Sequence, residues 1–219
     1  MTPLTLVIGN YNYSSWSLRP WALMTHLGLR FTTKRIALDT PSFATEVAKL
    51  SPTACVPVLQ QGEQVIWESI AIMEYASELA EGRGWPVEPT ARAHARAVAA
   101  EMHAGFAALR SAWPMNIRAR NKKTPVTDAM TTAIKRIDAI WQGCRAQQVA
   151  PGPWLFGHYS AADAMYLPMA FRFQTYGATG LSALSAAYLK TALTDPAIAP
   201  WIAAAQDEAE TIAAYEAIG

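Results

Sequence analysis

The chain has 219 residues, of which 52% are hydrophobic and 16% charged, so it can bury one large core or two small ones and is not globally disordered. The formal net charge is +1 and the cationic residues are mostly scattered, which excludes the strongly basic stripe of a nucleic-acid-binding domain. Two distant cysteines, Cys55 and Cys144, give neither a disulfide framework nor metal-ligand spacing.

Residues 4–8 are aliphatic or β-branched and end at Gly9, a buried-strand pattern. A polar loop, 10–15, follows. Leu18, Trp21, Ala22 and Leu29 then recur at helical spacing, with a serine as natural N-cap and Gly28 as a stop. Pro20 implies a kink or a later helix start. Residues 31–38 read as a second strand and 42–50 as a short helix stopped by Ser51-Pro52. The runs 56–59 and 65–67 flank a turn containing Gly62, a β-hairpin signal. Glu68-Ser69 opens a helix to Leu79.

Residues 80–89 hold two glycines and two prolines and mark a domain boundary. Beyond it the pattern is helical, over 90–112, 126–146, 160–176, 182–193 and 197–217, and its alanine richness favours helix. The predicted organisation is an α/β domain over 1–79, a linker over 80–89 and an all-α domain over 90–219. The basic run Arg118-Ala119-Arg120-Asn121-Lys122-Lys123 reads as a solvated loop or helix end. No apolar run approaches the ~20 residues of a membrane span. The N-terminal stretch has no signal-peptide pattern. The expectation is a soluble, cytoplasmic protein with no membrane, nucleic-acid or metal partner.

Three places can carry chemistry. Val56, before Pro57, can offer its N–H and C=O to an extended peptide. Glu68-Ser69 stands at a helix start, where unpaired N–H groups favour a carboxylate and the glutamate can hold an ammonium, although a plain capping pair has the same sequence. Ser14 and Ser15 sit where a hydroxyl can donate to a thiolate, or act as an N-cap.

Taken together, Ser14-Ser15-Trp16-Ser17-Leu18-Arg19, Ser51-Pro52-Thr53-Ala54-Cys55-Val56-Pro57-Val58-Leu59 and Glu68-Ser69-Ile70-Ala71-Ile72-Met73-Glu74-Tyr75 resemble the N-terminal half of the glutathione transferase superfamily. The serine pair is most similar to the zeta class, the maleylacetoacetate isomerases. Gly157-His158-Tyr159-Ser160-Ala161-Ala162-Asp163 resembles that family's N-capping box. The resemblance implies a thioredoxin-like β-α-β-α-β-β-α domain followed by an all-helical one, working as a homodimer with glutathione as co-substrate and no metal. It gives Ser14 the role of activating the glutathione thiol, with Ser15 as close rival. Val56, beside a cis Pro57, would pair with the cysteinyl unit, and Glu68 and Ser69 would hold the γ-glutamyl head. A small, apolar electrophile would lie against Tyr13, Trp16, His103, Phe106, Arg110 and Trp113.

Zeta enzymes carry a cysteine where this chain has Trp16, and many members carry a long polar side chain where it has Thr53-Ala54-Cys55. The alternatives are a zeta-type isomerase and a non-enzymatic ligand-binding or adaptor protein that keeps the fold. A thioredoxin-type oxidoreductase is excluded, because Ser14-Ser15-Trp16-Ser17 replaces Cys-x-x-Cys.

Overall fold

The apolar run that opens the chain becomes strand β1 (Leu4–Ile8). Leu6, Val7 and Ile8 are fully buried, as suits a strand covered on both faces. The computed structural model describes residues 2–148, 150–177 and 180–219. After β1 come α1 (Ser15–His26), β2 (Phe31–Arg35), α2 (Phe43–Ala48), β3 (Val58–Gln61), β4 (Gln64–Trp67) and α3 (Ser69–Leu79). The strands form one mixed sheet in the order β2-β1-β3-β4. β1 runs parallel to β2 and antiparallel to β3, and β3 pairs antiparallel with β4. This is the thioredoxin-like arrangement expected from the sequence.

Local details differ from the sequence reading. α1 starts at Ser15 and runs through Pro20, which neither ends nor delays it. The second strand stops at Arg35, because the chain then leaves the sheet and Leu38 N–H donates to Asn10 Oδ1 at 2.7 Å. Val56 and Pro57 precede β3, and their peptide bond is cis.

The remainder is helical: α4 (Pro89–Ala104), α5 (Ala107–Ala112), α6 (Asp128–Ala146), α7 (Ala161–Tyr176), α8 (Ala183–Leu193), a 3-10 turn at Pro196–Ile198, α9 (Ala199–Asp207) and α10 (Ala213–Glu216). The single helix predicted over 90–112 is therefore two. Phe106 takes a left-handed φ of 61° between them, and a Cβ on Gly105 would lie 2.7 Å from the Glu101 carbonyl oxygen. The helix predicted over 197–217 is also broken, with Glu208 and Ile212 extended. α7 is buried on nearly every side, the mark of a helix at the centre of a core. Asp163 Oδ2 accepts from the Ser160 N–H at 2.9 Å at its start. Trp141 of α6, fully buried, meets Phe173 and Tyr188 with ring centroids 5.6 and 4.8 Å away. One apolar cluster joins α1, α3 and these helices. Among the described residues, no helix is long and apolar enough to cross a membrane.

The basic run over 118–123 is not merely solvated. It clasps the C-terminal segment: Arg118 donates to the carbonyl oxygens of Glu208 and Glu210, and Lys122 Nζ to those of Glu216 and Ile218, both at 2.7 Å. The Glu208 carboxylate in turn accepts from the N–H groups of Tyr11 and Asn12, both at 3.0 Å. The tail is thus moored to the loop that leads into α1.

Candidate functional site

Ser14 is the N-cap of α1, but its hydroxyl does not cap the helix. It donates instead to Ser17 Oγ at 2.8 Å, and Ser17 Oγ also accepts from the Gly9 N–H at 3.2 Å. Ser14 is buried and Ser15 half-buried. Ser15 Oγ accepts from Arg172 Nη2 at 3.4 Å. Both serines line a cleft of about 470 Å³, together with Tyr13, Trp16, Phe43, Cys55, Val56, Arg110, Arg172 and Tyr215. That volume lies within the range of small-molecule sites.

A smaller cleft of about 220 Å³ is lined by Trp16, Thr53, Cys55, Val56, Pro57, Glu68 and Ser69. Trp16, Cys55 and Val56 belong to both clefts, so one groove runs from the start of α3 to the start of α1. Ser69, the first residue of α3, is 1% exposed, and its Oγ has no hydrogen-bond partner among the described residues. A buried hydroxyl left unpaired costs about 1–3 kcal/mol, and here it borders an open cleft at a helix N-terminus. Glu68 takes a left-handed φ of 67°, a strained conformation that folds tend to keep at ligand sites. Its carboxylate is half exposed, with Oε2 3.8 Å from His103 Nε2.

The groove therefore gathers Ser14, Ser15, Val56, Pro57, Glu68 and Ser69, and, at its wider end, Tyr13, Trp16 and Arg110. Tyr13 donates its hydroxyl to Glu216 Oε1 at 2.5 Å and accepts from Arg118 Nη2 at 3.0 Å. Burial, followed by the Glu216 contact, raises its pKa. His103 packs edge-on to Trp16 with centroids 5.2 Å apart and lies outside both clefts. Burial, then the charges of Arg19 and Arg110, lower its pKa, against the pull of Glu68.

Two candidates for the second-substrate wall are elsewhere. Phe106 forms the left-handed break between α4 and α5 and lines neither cleft. Trp113 is 2% exposed, stacks on Tyr176 at 5.3 Å and donates Nε1–H to Thr124 Oγ1 at 2.6 Å. The break at 105–106 resets the helical phase, so a single-helix spacing misplaces both residues. Cys55 is exposed beside both clefts, whereas Cys144 is buried and its thiol is pushed up to about 12.

Sequence reasoning missed Arg172, Tyr215 and Phe43 as cleft residues. Arg172 did leave a signal: it is a lone cation in the apolar stretch Met165–Phe173 of α7. Arg19, between Leu18 and Pro20, is a second such case and is 1% exposed. Among the described residues, no group of three or more His, Cys, Asp or Glu side chains is placed to hold a metal ion.

The fold is a thioredoxin-like domain followed by a helical remainder, and the groove is lined by residues of both. Residues 13–79 match the family model for the glutathione S-transferase N-terminal domain. Those residues therefore carry a glutathione S-transferase N-terminal domain, and the chain as a whole shares the fold of glutathione transferases. It is similar to a glutathione transferase homolog from Burkholderia gl BGR1 solved with bound glutathione, at TM-score 0.70 and 19% identity, covering 95% of this chain and 100% of that one. It is also similar to the theta class enzyme of Xanthomonas axonopodis pv. citri with glutathione bound, at TM-score 0.67 and 21% identity, over 92% and 98% of the two chains. The Tau class enzyme of mango, Mangifera indica, matches at TM-score 0.69 and 17% identity, over 94% and 96%. At these identities the structural likeness speaks for the fold alone. No curated protein matches the sequence.

Proposed function

We propose that the chain is a glutathione transferase that activates the glutathione thiol through the Ser14 hydroxyl and adds the thiolate to a small electrophile. The observation that carries this reading is Ser69 Oγ, buried and unpartnered on the wall of a cleft it shares with Glu68 and Val56. A γ-glutamyl carboxylate accepting from Ser69 and from the first N–H groups of α3 would satisfy it, with the ammonium on Glu68. Laid along Val56, the tripeptide would put its sulfur at the start of α1. Ser14 would then turn its hydroxyl from Ser17 to the sulfur, and Ser17 Oγ would keep its bond from Gly9. A free thiol ionises near pH 8.5. Lowering that by about two units takes ~2.7 kcal/mol, within reach of a hydroxyl and a helix N-terminus in a half-closed cleft.

The reading includes the division into domains over 1–79 and 90–219 joined by 80–89, a cytoplasmic location and a homodimer, the last checked by sedimentation at micromolar concentration. The central test is calorimetric titration with glutathione, alongside turnover of a chlorodinitrobenzene. Binding that weakens in Ser69→Ala is expected. A chain that binds no glutathione is an adaptor that keeps the fold, and one that binds it without turnover of any electrophile is a ligand carrier.

A further inference from the structure

The wide end of the groove carries positive charge. Arg110 and Arg172 line the large cleft, and among the described residues no Asp or Glu lines it. Arg19 lies behind them, its guanidinium 4.1 Å from the Trp16 ring centroid, with Arg110 5.1 Å from the same ring. Among the described residues, none of the three is within 4.0 Å of a carboxylate. The ion pairs belong to Arg35, Arg96, Arg136, His26 and His103. Arg172 is 4% exposed and rests on the carbonyl oxygens of Trp113 and Pro168, at 2.7 and 3.2 Å, besides Ser15. Arg19 Nε and Nη1 have no hydrogen-bond partner among the described residues.

Burying unpaired cations is costly. The strain shows in their titration: burial first, and then mutual repulsion, lower the pKa of Arg19 and Arg172, the latter to about 10, while burial alone lowers Arg110. A planar guanidinium fork holds a carboxylate through two parallel hydrogen bonds. Around it the walls are aromatic: Tyr13, Trp16, Phe43 and Tyr215.

We propose that the large cleft selects an electrophile bearing a carboxylate on an aromatic ring, its anion on Arg110 and Arg172 and its ring against Trp16 and Tyr215. This deepens the glutathione transferase reading and rests on it for turnover. It replaces the apolar electrophile expected from the sequence by an anionic one. The rival anion is the glycyl carboxylate of glutathione itself, and the experiment separates the two.

The test compares a chlorodinitrobenzoate with its methyl ester, each kcat/KM divided by the uncatalysed rate with glutathione. The benzoate is expected to lead by about tenfold, the scale of one charge-assisted bidentate contact, and the lead to collapse in Arg110→Gln. A lead for the ester overturns the proposal. So does an Arg110→Gln variant that raises the KM for glutathione and leaves the benzoate-to-ester ratio as it was, because the arginines then serve the glycyl group. Calorimetric titration of the native protein with benzoate and with benzamide reads the anion preference without turnover or mutation. Benzoate is expected to bind and benzamide not; equal binding, or none from benzoate, overturns the proposal even where glutathione chemistry holds. Absence of glutathione turnover with benzoate still bound defeats the transferase reading alone.

Discussion

The two ends of the groove are built on different principles. The narrow end, at Val56, Glu68 and Ser69, is made of backbone: a cis Val56–Pro57 bond, a left-handed Glu68 and a helix start. The wide end is made of side chains delivered by separate helices, with Arg110 on α5, Arg172 on α7 and Tyr215 on α10. The first would meet a constant partner through main-chain groups, joined by the Ser69 hydroxyl and the Glu68 carboxylate. The second is where one chain can differ from another, so under the proposed function the co-substrate's head would meet the narrow end and the reaction partner the helices.

The largest effect is expected at the junction of the two ends. Ser14→Ala should lower kcat/KM for a neutral chlorodinitrobenzene on the order of a hundredfold near neutral pH, the scale of losing one preorganised donor to a developing or resident anion. The deficit should shrink as pH rises past about 8.5, where the thiol ionises unaided. A small loss independent of pH would place the sulfur elsewhere. At the narrow end, Glu68→Gln should weaken glutathione binding by about tenfold, the lower range for a hydrogen bond to a charged group because the carboxylate is half exposed. Calorimetry would measure it, and it should act on glutathione more than on the electrophile.

Away from both ends, Ser160→Ala removes the hydroxyl that donates to Asp163 Oδ2 at 3.0 Å. It should cost about 1 kcal/mol and lower Tm by about 2–4 °C in scanning calorimetry, with the groove intact. The smallest effect is at His103, whose lowered pKa keeps it neutral near pH 7. In more acid solution the ring gains a proton and competes with the ligand ammonium for Glu68. Glutathione binding should weaken a few-fold as pH falls below the ordinary imidazole range, and His103→Gln should flatten that acid limb.

This contrast also explains what could be read from the sequence. Leu4–Ile8, the hairpin around Gly62, the helix begun at Ser69 and the start of α7 at Ser160 all follow from local pattern and turn chemistry. The wide end does not, because Arg19, Arg110 and Arg172 meet only once α1, α5 and α7 pack, over more than 150 residues of chain by numbering. Phe106 and Trp113 were misplaced for a smaller reason. A single left-handed residue shifts the phase of everything after it, and periodicity carries no warning of that. The basic run over 118–123 looked solvated because its partners are main-chain oxygens of the tail, which leave no mark in the sequence.

The tail that these cations hold has a consequence for the breadth of guests the molecule accepts. α10 contributes Tyr215 to the cleft but buries none of its own residues, so it is among the easiest parts of the wall to release. Lys122 and the Tyr13–Glu216 contact act as its moorings. Releasing α10 would take Tyr215 from the wall and widen the cleft without touching Ser14. Anyone wishing to admit bulkier molecules would begin by loosening Lys122 and leave the aromatic rings alone.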